Sequence, residues 1–368
     1  MNRKGICAIL SVLLLSGSLT AAAQGTVWHD PLEEGAKNGA EYVHGRGFVQ
    51  QDYCRLPETA QGTVREAVWN LSRNSAGLCL RFTTDSPAIT VRYDVTGGHA
   101  MPHMPATGVS GVDLYNGRGE RCWGGYSFGT PIVYSYSGLP DTTGSGTTYP
   151  LYLPLYNTVK TLRIGVPENA SFAFEAVDTT SATRRPIVVY GTSIAQGACA
   201  SRPGMAWTNI LRRLSDRPVV NLGFSGNGKL EPEMIDYVAA VPASIYVVDC
   251  MPNMYVPEDS VYRLVVRTVR QLRAARPQTP ILLVEHPGYA NRKTNAEKRD
   301  NDQQADRAQR RAFADLRHEG VKALYYLSRS QIAMPADGMV DYIHPSDLGM
   351  AAYASAYHRA IRKILKLK

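Results

Sequence analysis

Beyond its first 23 residues the chain lacks any run of the roughly 18 uncharged apolar residues that a membrane helix needs, so stable membrane insertion is not expected. It also lacks blocks of lysine and arginine set beside aromatic stacking residues. The 40 basic residues are spread along 368 positions and leave a formal net charge of +8, which argues against nucleic acid as a partner. Cysteine is scarce, six in all, and its spacings match no zinc pattern. No internal repeat is found. What is present, 32 Gly, 22 Pro and 44% hydrophobic residues, excludes a disordered chain or a coiled coil, and the length predicts about two domains.

Residues 1–23 have the layout of a secretory signal peptide. Arg3 and Lys4 form a basic start, Ile6 to Leu15 an apolar stretch, and Ala21, Ala22 and Ala23 a small-residue cleavage site before Gln24. A secreted or periplasmic protein is expected, with no lipid anchor because no cysteine follows the cleavage site. Loss of Arg3 and Lys4 lowers the net charge to +6. In an oxidising compartment Cys54, Cys79, Cys122, Cys199 and Cys250 either supply up to two disulfides or serve as small buried hydrophobes.

Two periodicities divide the rest. In residues 24–183, Val64–Trp69, Leu78–Thr83, Ile89–Tyr93, Pro131–Tyr136 and Thr161–Val166 alternate apolar and polar residues between Gly, Pro, Asp and Asn clusters, predicting an antiparallel β-sandwich of jelly-roll type. Gly138–Pro150 reads as a surface loop. In residues 184–368, buried strand candidates at 187–190, 219–222, 245–249, 281–284 and 323–327 alternate with helical stretches near 205–215, 231–239, 259–275, 296–318 and 347–366. That is an α/β pattern, a parallel sheet with helices on both faces. The charged segment Arg292–Arg311 mixes both signs and reads as a solvated helix with its lead-in.

In an open parallel sheet, ligands sit at the carboxyl ends of the strands. After the first such strand comes Gly191-Thr-Ser193-Ile-Ala-Gln-Gly197, a serine at a strand-to-helix turn with backbone N–H groups beside it. After the second comes Asn221-Leu-Gly-Phe-Ser-Gly226-Asn-Gly228, and after the third Asp249-Cys-Met-Pro-Asn253-Met254. Ahead of the last helix stands Asp341-Tyr-Ile-His344-Pro-Ser-Asp347. A carboxylate three residues before a histidine can orient the imidazole while that ring takes a proton from a serine.

These four segments, in this order, resemble the SGNH (GDSL-type) hydrolases, esterases and acylhydrolases on a flavodoxin-like three-layer α/β/α fold. Upstream, Gly111-Val-Asp113-Leu-Tyr115 resembles the Gly-x-Asp-Leu-Tyr signature of the β-domain that precedes a bacterial subset of them. The resemblance implies Ser193 as nucleophile, His344 as general base and Asp341 as its orienting carboxylate. It implies the Ser193 and Gly226 N–H groups and the Asn253 amide as oxyanion hole, and neither metal nor organic cofactor. Thr192 stands where the family usually has aspartate, and Pro252 and Met254 flank Asn253. The implied activity is hydrolysis of O-acyl esters, most simply O-acetyl groups on carbohydrates. A lipase or thioesterase, or an inactive glycan-binding protein, are the alternatives.

Other residues have two readings each. His286, after Glu285 at the end of the fourth strand, touches substrate, supports residues that do, or is structural. Tyr115, Trp123 and Tyr126 are stacking residues of a glycan-binding β-domain or part of its core, with Asp113 a buried structural carboxylate. His99-Ala-Met-Pro-His103-Met104 suits a copper site, a rigid loop, or a lip that the β-domain places over the active site. The sequence does not reveal the oligomeric state.

Overall fold

The computed structural model describes residues 25–140, 146–178, 180–181 and 184–367; the expected export segment lies outside them. In the first half, side-chain alternation buries one face of each short strand. One antiparallel sheet has the order β1-β9-β4-β7-β6, built from β1 (Thr26–His29), β4 (Ala88–Val95), β6 (Gly125–Phe128), β7 (Ile132–Ser137) and β9 (Val159–Pro167). The second has the order β10-β3-β8-β5, from β3 (Cys79–Thr84), β5 (Asp113–Leu114), β8 (Thr147–Tyr152) and β10 (Phe172–Phe174), with β2 (Val43–His44) added along β3. Phe82 and Leu151 of one sheet share a core with Val91, Tyr134 and Ile164 of the other, which makes the pair a sandwich.

Two expectations fail here. Val64–Trp69 is not a strand: the chain enters a helix at Glu66, α2 (Glu66–Ser72), after α1 (Pro31–Asn38). Val64 and Val68 are four apart as well as alternating, so a short run satisfies both periods, and packing decides. Both valines, with Leu56 and Ala60, lie in one core with Tyr190 and Leu222 of the second half. Nor is Gly138–Pro150 a loop throughout, since β8 starts at Thr147 and turns Tyr149 and Leu151 into the sandwich. The turn α3 (Ala106–Val109) completes this half.

The second half holds five parallel strands, β11 (Ile187–Gly191), β12 (Val219–Gly223), β13 (Ile245–Asp249), β14 (Ile281–Val284) and β15 (Leu324–Leu327), in the order β12-β11-β13-β14-β15. This is the flavodoxin-like 2-1-3-4-5 arrangement, with the order reversing beside β11. Between and after them come α4 (Ser193–Gln196), α5 (Trp207–Ser215), α6 (Pro232–Ala240), α7 (Glu258–Ala275), α8 (Ala296–His318), α9 (Arg329–Ile332) and α10 (Asp347–Leu365). One sheet face packs Val188, Tyr246 and Leu283 against α6, α7 and α8; the other packs Val189, Val247 and Leu282 against α5 and α10. Burial on both faces explains why these strands read as unbroken apolar runs.

The charged segment does form a helix, α8, but not one solvated all round. Asp302 and Asp306 are fully buried and pair with Arg329 at 2.9 and 3.1 Å. All five described cysteines are free thiols. No helix among the described residues is long and apolar enough to cross a membrane.

Candidate active site

Strands β12, β11 and β13 are neighbours, so the three loops at their carboxyl ends meet at one edge of the sheet. Ser193 opens the single-turn helix α4 directly after β11, with Thr192 as its extended cap. Gly226 follows β12 and adopts φ +69°, a left-handed backbone that a side chain would strain. A Cβ at Gly228 would lie 2.4 Å from the Gly191 carbonyl oxygen, so only glycine lets the second loop lie against the first. Asn253 ends the 3₁₀ turn Met251–Asn253 after β13, and its Oδ1 accepts the Gly228 N–H at 3.1 Å. That bond engages the amide oxygen and leaves the Asn253 nitrogen as the group able to donate.

The fourth loop brings the acid–base pair. His344 Nε2 lies 2.9 Å from Ser193 Oγ, and its Nδ1 lies 2.7 Å from Asp341 Oδ2. The other carboxylate oxygen accepts the N–H groups of Ile343 and His344, each at 2.8 Å. Burial opposes ionisation of Asp341. The hydrogen bonds from His344 and Ile343 outweigh it, so the carboxyl sits below its usual range and stays ionised at neutral pH. The loop is anchored by Val340 N–H to His344 O, 2.8 Å, and by Cys199 N–H to Pro345 O, 3.1 Å.

Ser193 keeps 6% of its surface exposed while Ile194, Ala195 and Gln196 of α4 are fully buried. The set can take a proton from the hydroxyl, hold the resulting imidazolium against a carboxylate, and offer N–H donors to a developing oxyanion. Thr192, in place of the family's aspartate, is fully buried and its hydroxyl has no hydrogen-bond partner.

Three side chains that sequence reading did not assign also shape the site. Tyr156, just beyond β8, donates its hydroxyl to the Ser193 carbonyl oxygen at 3.3 Å. Gln196, one turn after Ser193, accepts the Ser225 N–H at 3.0 Å and holds the loop bearing Gly226. Cys199 packs where the imidazoles of His103 and His344 converge, the three heteroatoms lying within 4.8 Å of one another. His103 reaches over from the sandwich, its ring 5.6 Å from that of His344, which is the lip geometry. His99 points elsewhere, to Phe128 at 5.7 Å, so the His99/His103 pair does not converge as a copper site requires.

The substrate-contact readings of His286 and Tyr115 are corrected. His286 is 0% exposed, its Nδ1 accepting the Gly288 N–H at 2.9 Å; burial drives its pKa down to about 3, so it is a neutral structural ring. Tyr115 is 4% exposed, with Arg213 over its face at 4.3 Å and Arg202 donating to its hydroxyl at 2.6 Å, so it cannot stack on a sugar. Trp123 and Tyr126 are 74% and 54% exposed, but stand on edge strand β6 and its lead-in rather than on the loops bearing Ser193, Asn253 or His344. Asp113 is the buried carboxylate expected: it pairs with Arg121 at 3.1 Å and with Arg202, and accepts the Gly204 N–H at 3.0 Å.

Comparisons with known proteins follow the same division. Residues 184–362 match the GDSL-like lipase/acylhydrolase family, and residues 26–172 match the GxDLY N-terminus of SGNH-hydrolase-type esterases. A Bacteroides ovatus protein whose crystal structure is described as that of a GDSL-like lipase is 31% identical over 94% of this chain and 99% of that one, with a TM-score of 0.82. A salicylyl-acyltransferase from a tetracycline biosynthetic pathway shares the fold at 19% identity and TM-score 0.74, over 93% of this chain and 98% of that one. So does a family 2 carbohydrate esterase with a carbohydrate-binding domain from Corynascus thermopiles, at 16% identity and TM-score 0.50, over 79% and 94%. No curated protein matches the chain in sequence. With that Bacteroides ovatus relative aligned along nearly its whole length, the chain belongs to the GDSL-like (SGNH) lipase/acylhydrolase family and is a carboxylic ester hydrolase with a β-rich N-terminal half.

Proposed function

We propose that the protein is exported and removes short O-acyl groups, acetyl above all, from carbohydrates, with Ser193 as nucleophile. The observation that carries the reading is the continuous chain from Asp341 through His344 to Ser193, with contacts of 2.7 and 2.9 Å. Ser193 Oγ attacks the ester carbonyl as His344 Nε2 takes its proton. The tetrahedral anion rests on the Ser193 and Gly226 N–H groups and the Asn253 amide. Collapse expels the sugar hydroxyl, protonated by His344, and leaves acyl-Ser193. Water, deprotonated by His344, then releases the carboxylic acid and restores the serine. No step calls for a metal or organic cofactor.

Crowding by His103, Tyr156 and Cys199 around the nucleophile and base favours a short acyl group over a lipid chain. The sugar reading draws on Tyr255, two residues past Asn253, and Tyr342, between Asp341 and His344, which are 54% and 44% exposed. Lys298 holds both rings by cation–π contact at 5.6 and 5.3 Å, and the Tyr255 hydroxyl is bonded to that of Tyr289 at 2.8 Å. Pre-positioned aromatic faces beside an ester site suit a pyranose ring.

The test is acetate release from a panel of acetylated oligosaccharides, with a short-chain nitrophenyl ester as baseline and Ser193→Ala as control. Equal rates for the wild type and Ser193→Ala would sink the serine assignment. Nitrophenyl acetate turnover without acetate release from any glycan would sink the carbohydrate assignment alone.

A further inference from the structure

At the end of the sheet away from Ser193, a cleft of about 710 Å³ opens between the sandwich and the hydrolase half. Pro186 and Pro218, which precede β11 and β12, lie on its wall, whereas Ser193 follows β11. A five-residue strand spans roughly 16 Å, so no group bound here touches the reacting ester. Among the described residues eight arginines line the cleft against three carboxylates.

The decisive side chain is Arg212 on α5. It is 9% exposed, it has no acidic partner among the described residues, and its shielded Nη1 makes no hydrogen bond to them. The other buried arginine among the described residues, Arg55, is 2% exposed and donates to four backbone carbonyls. Nearby, the Nη1 of Arg213 is likewise buried without a partner. His44, against the same cleft, is driven down to about 3 by burial and then by Arg212 and Arg81, and donates to the Glu175 carbonyl oxygen at 2.9 Å. It therefore supplies no counter-charge and no compensation. A buried guanidinium left unpaired is costly, and such groups in folded proteins are paired or ligand-bound.

We propose that this cleft is an anion-binding site centred on Arg212, for a small ligand carrying a sulfate, phosphate or carboxylate group. Planar guanidinium groups match such oxyanions with paired N–H donors. Arg213, laid over the rings of Tyr115 and Tyr152 at 4.3 and 5.4 Å, forms a rigid second wall. The site stands whether or not the ester is on a sugar.

Isothermal titration of the full chain with sodium sulfate, sodium phosphate and sodium glucuronate, each against sodium chloride at matched ionic strength, tests the site. The expected result is saturable one-to-one binding of at least one oxyanion, with the tetrahedral and planar arms naming the source chemistry. Arg212→Met is expected to weaken that binding at least tenfold, to raise the melting temperature of the anion-free protein, and to leave nitrophenyl acetate hydrolysis unchanged. Should Arg212→Met fail to fold, Arg81→Met, partly exposed on β3, is expected to weaken binding several-fold. Heats no larger than chloride for all three anions, or equal affinity in the variants, would overturn the proposal in favour of a water-filled cleft.

Discussion

Replacing Asp113 by alanine tests how the two halves are held together. The carboxylate is 2% exposed and receives two arginines and the Gly204 N–H, so its loss strands Arg202, whose side chain is only 22% exposed. Breaking a fully buried pair costs about 3–5 kcal/mol. Arg121 is 43% exposed and Arg202 retains some water, which discounts the figure to about 2–4 kcal/mol. At about 2.1 cal/mol/K per residue, a cooperative unit of roughly 340 residues shifts by about 1.4 °C per kcal/mol, so the melting temperature should fall by about 3–6 °C. Asp113→Asn, which keeps an acceptor for the Gly204 N–H, should lose about half as much. The assay is thermal unfolding with nitrophenyl acetate turnover at 25 °C on the same samples, completed by a cycle with Arg202→Ala. Coupling of about 1–3 kcal/mol is expected in the cycle, with turnover within about threefold of wild type. Additive single effects, or a hundredfold loss of rate with unchanged melting, would refute the clamp.

Three further outcomes are expected. Asn253→Ala removes one oxyanion donor and should lower kcat by roughly 10²–10³ with little change in melting temperature; a rate within twofold of wild type would remove Asn253 from the site. Asp341→Asn, which cannot hold the imidazole in the productive tautomer, should lower kcat by on the order of 10³–10⁴ and leave KM near its wild-type value, as read from steady-state kinetics. Asp249 is fully buried and burial pushes its carboxyl up to about 7, so in the wild type an ionisation cost is present at pH 8 and vanishes as pH falls towards 4. Asp249→Asn removes that cost: denaturant titration should find the variant more stable by about 2–4 kcal/mol at pH 8, the advantage being gone near pH 4, and a pH-independent difference would contradict this.

Much of the hydrolase half was legible because its physics is local. Val219–Val220 and Ile281–Val284 are buried on both faces, so each had to read as an apolar run, and the loops after them had to carry the polar chemistry. Ser193, Gly226, Asn253 and His344 each sit within about one turn of an element end, and Asp341 three residues further out, where sequence order already implies position. What escaped reading is set by distance. Tyr156 comes 37 residues before Ser193, and nothing local in its neighbourhood marks a ring destined for the nucleophile, whereas the His99–Met104 stretch was legible as a lip only as one of three readings. Tyr115 looked like a stacking residue because composition is silent about Arg202 and Arg213, which enclose it from the other half. Val64–Trp69 misled because six residues cannot separate a period of two from one of 3.6.

The segment from Leu56 to Val68 has a consequence for how the chain reaches its final state. These residues are made before the sandwich is complete, yet their packing partners, Val188, Tyr190, Leu222 and Ile235, come more than 100 residues later. A chain emerging amino end first therefore carries an unsatisfied apolar segment until half its length has followed, and the sandwich cannot close off its folding alone. The two halves should then melt as one cooperative unit despite their separate sheets. Truncation anywhere between residues 184 and 240 should yield insoluble protein, not a free-standing sandwich.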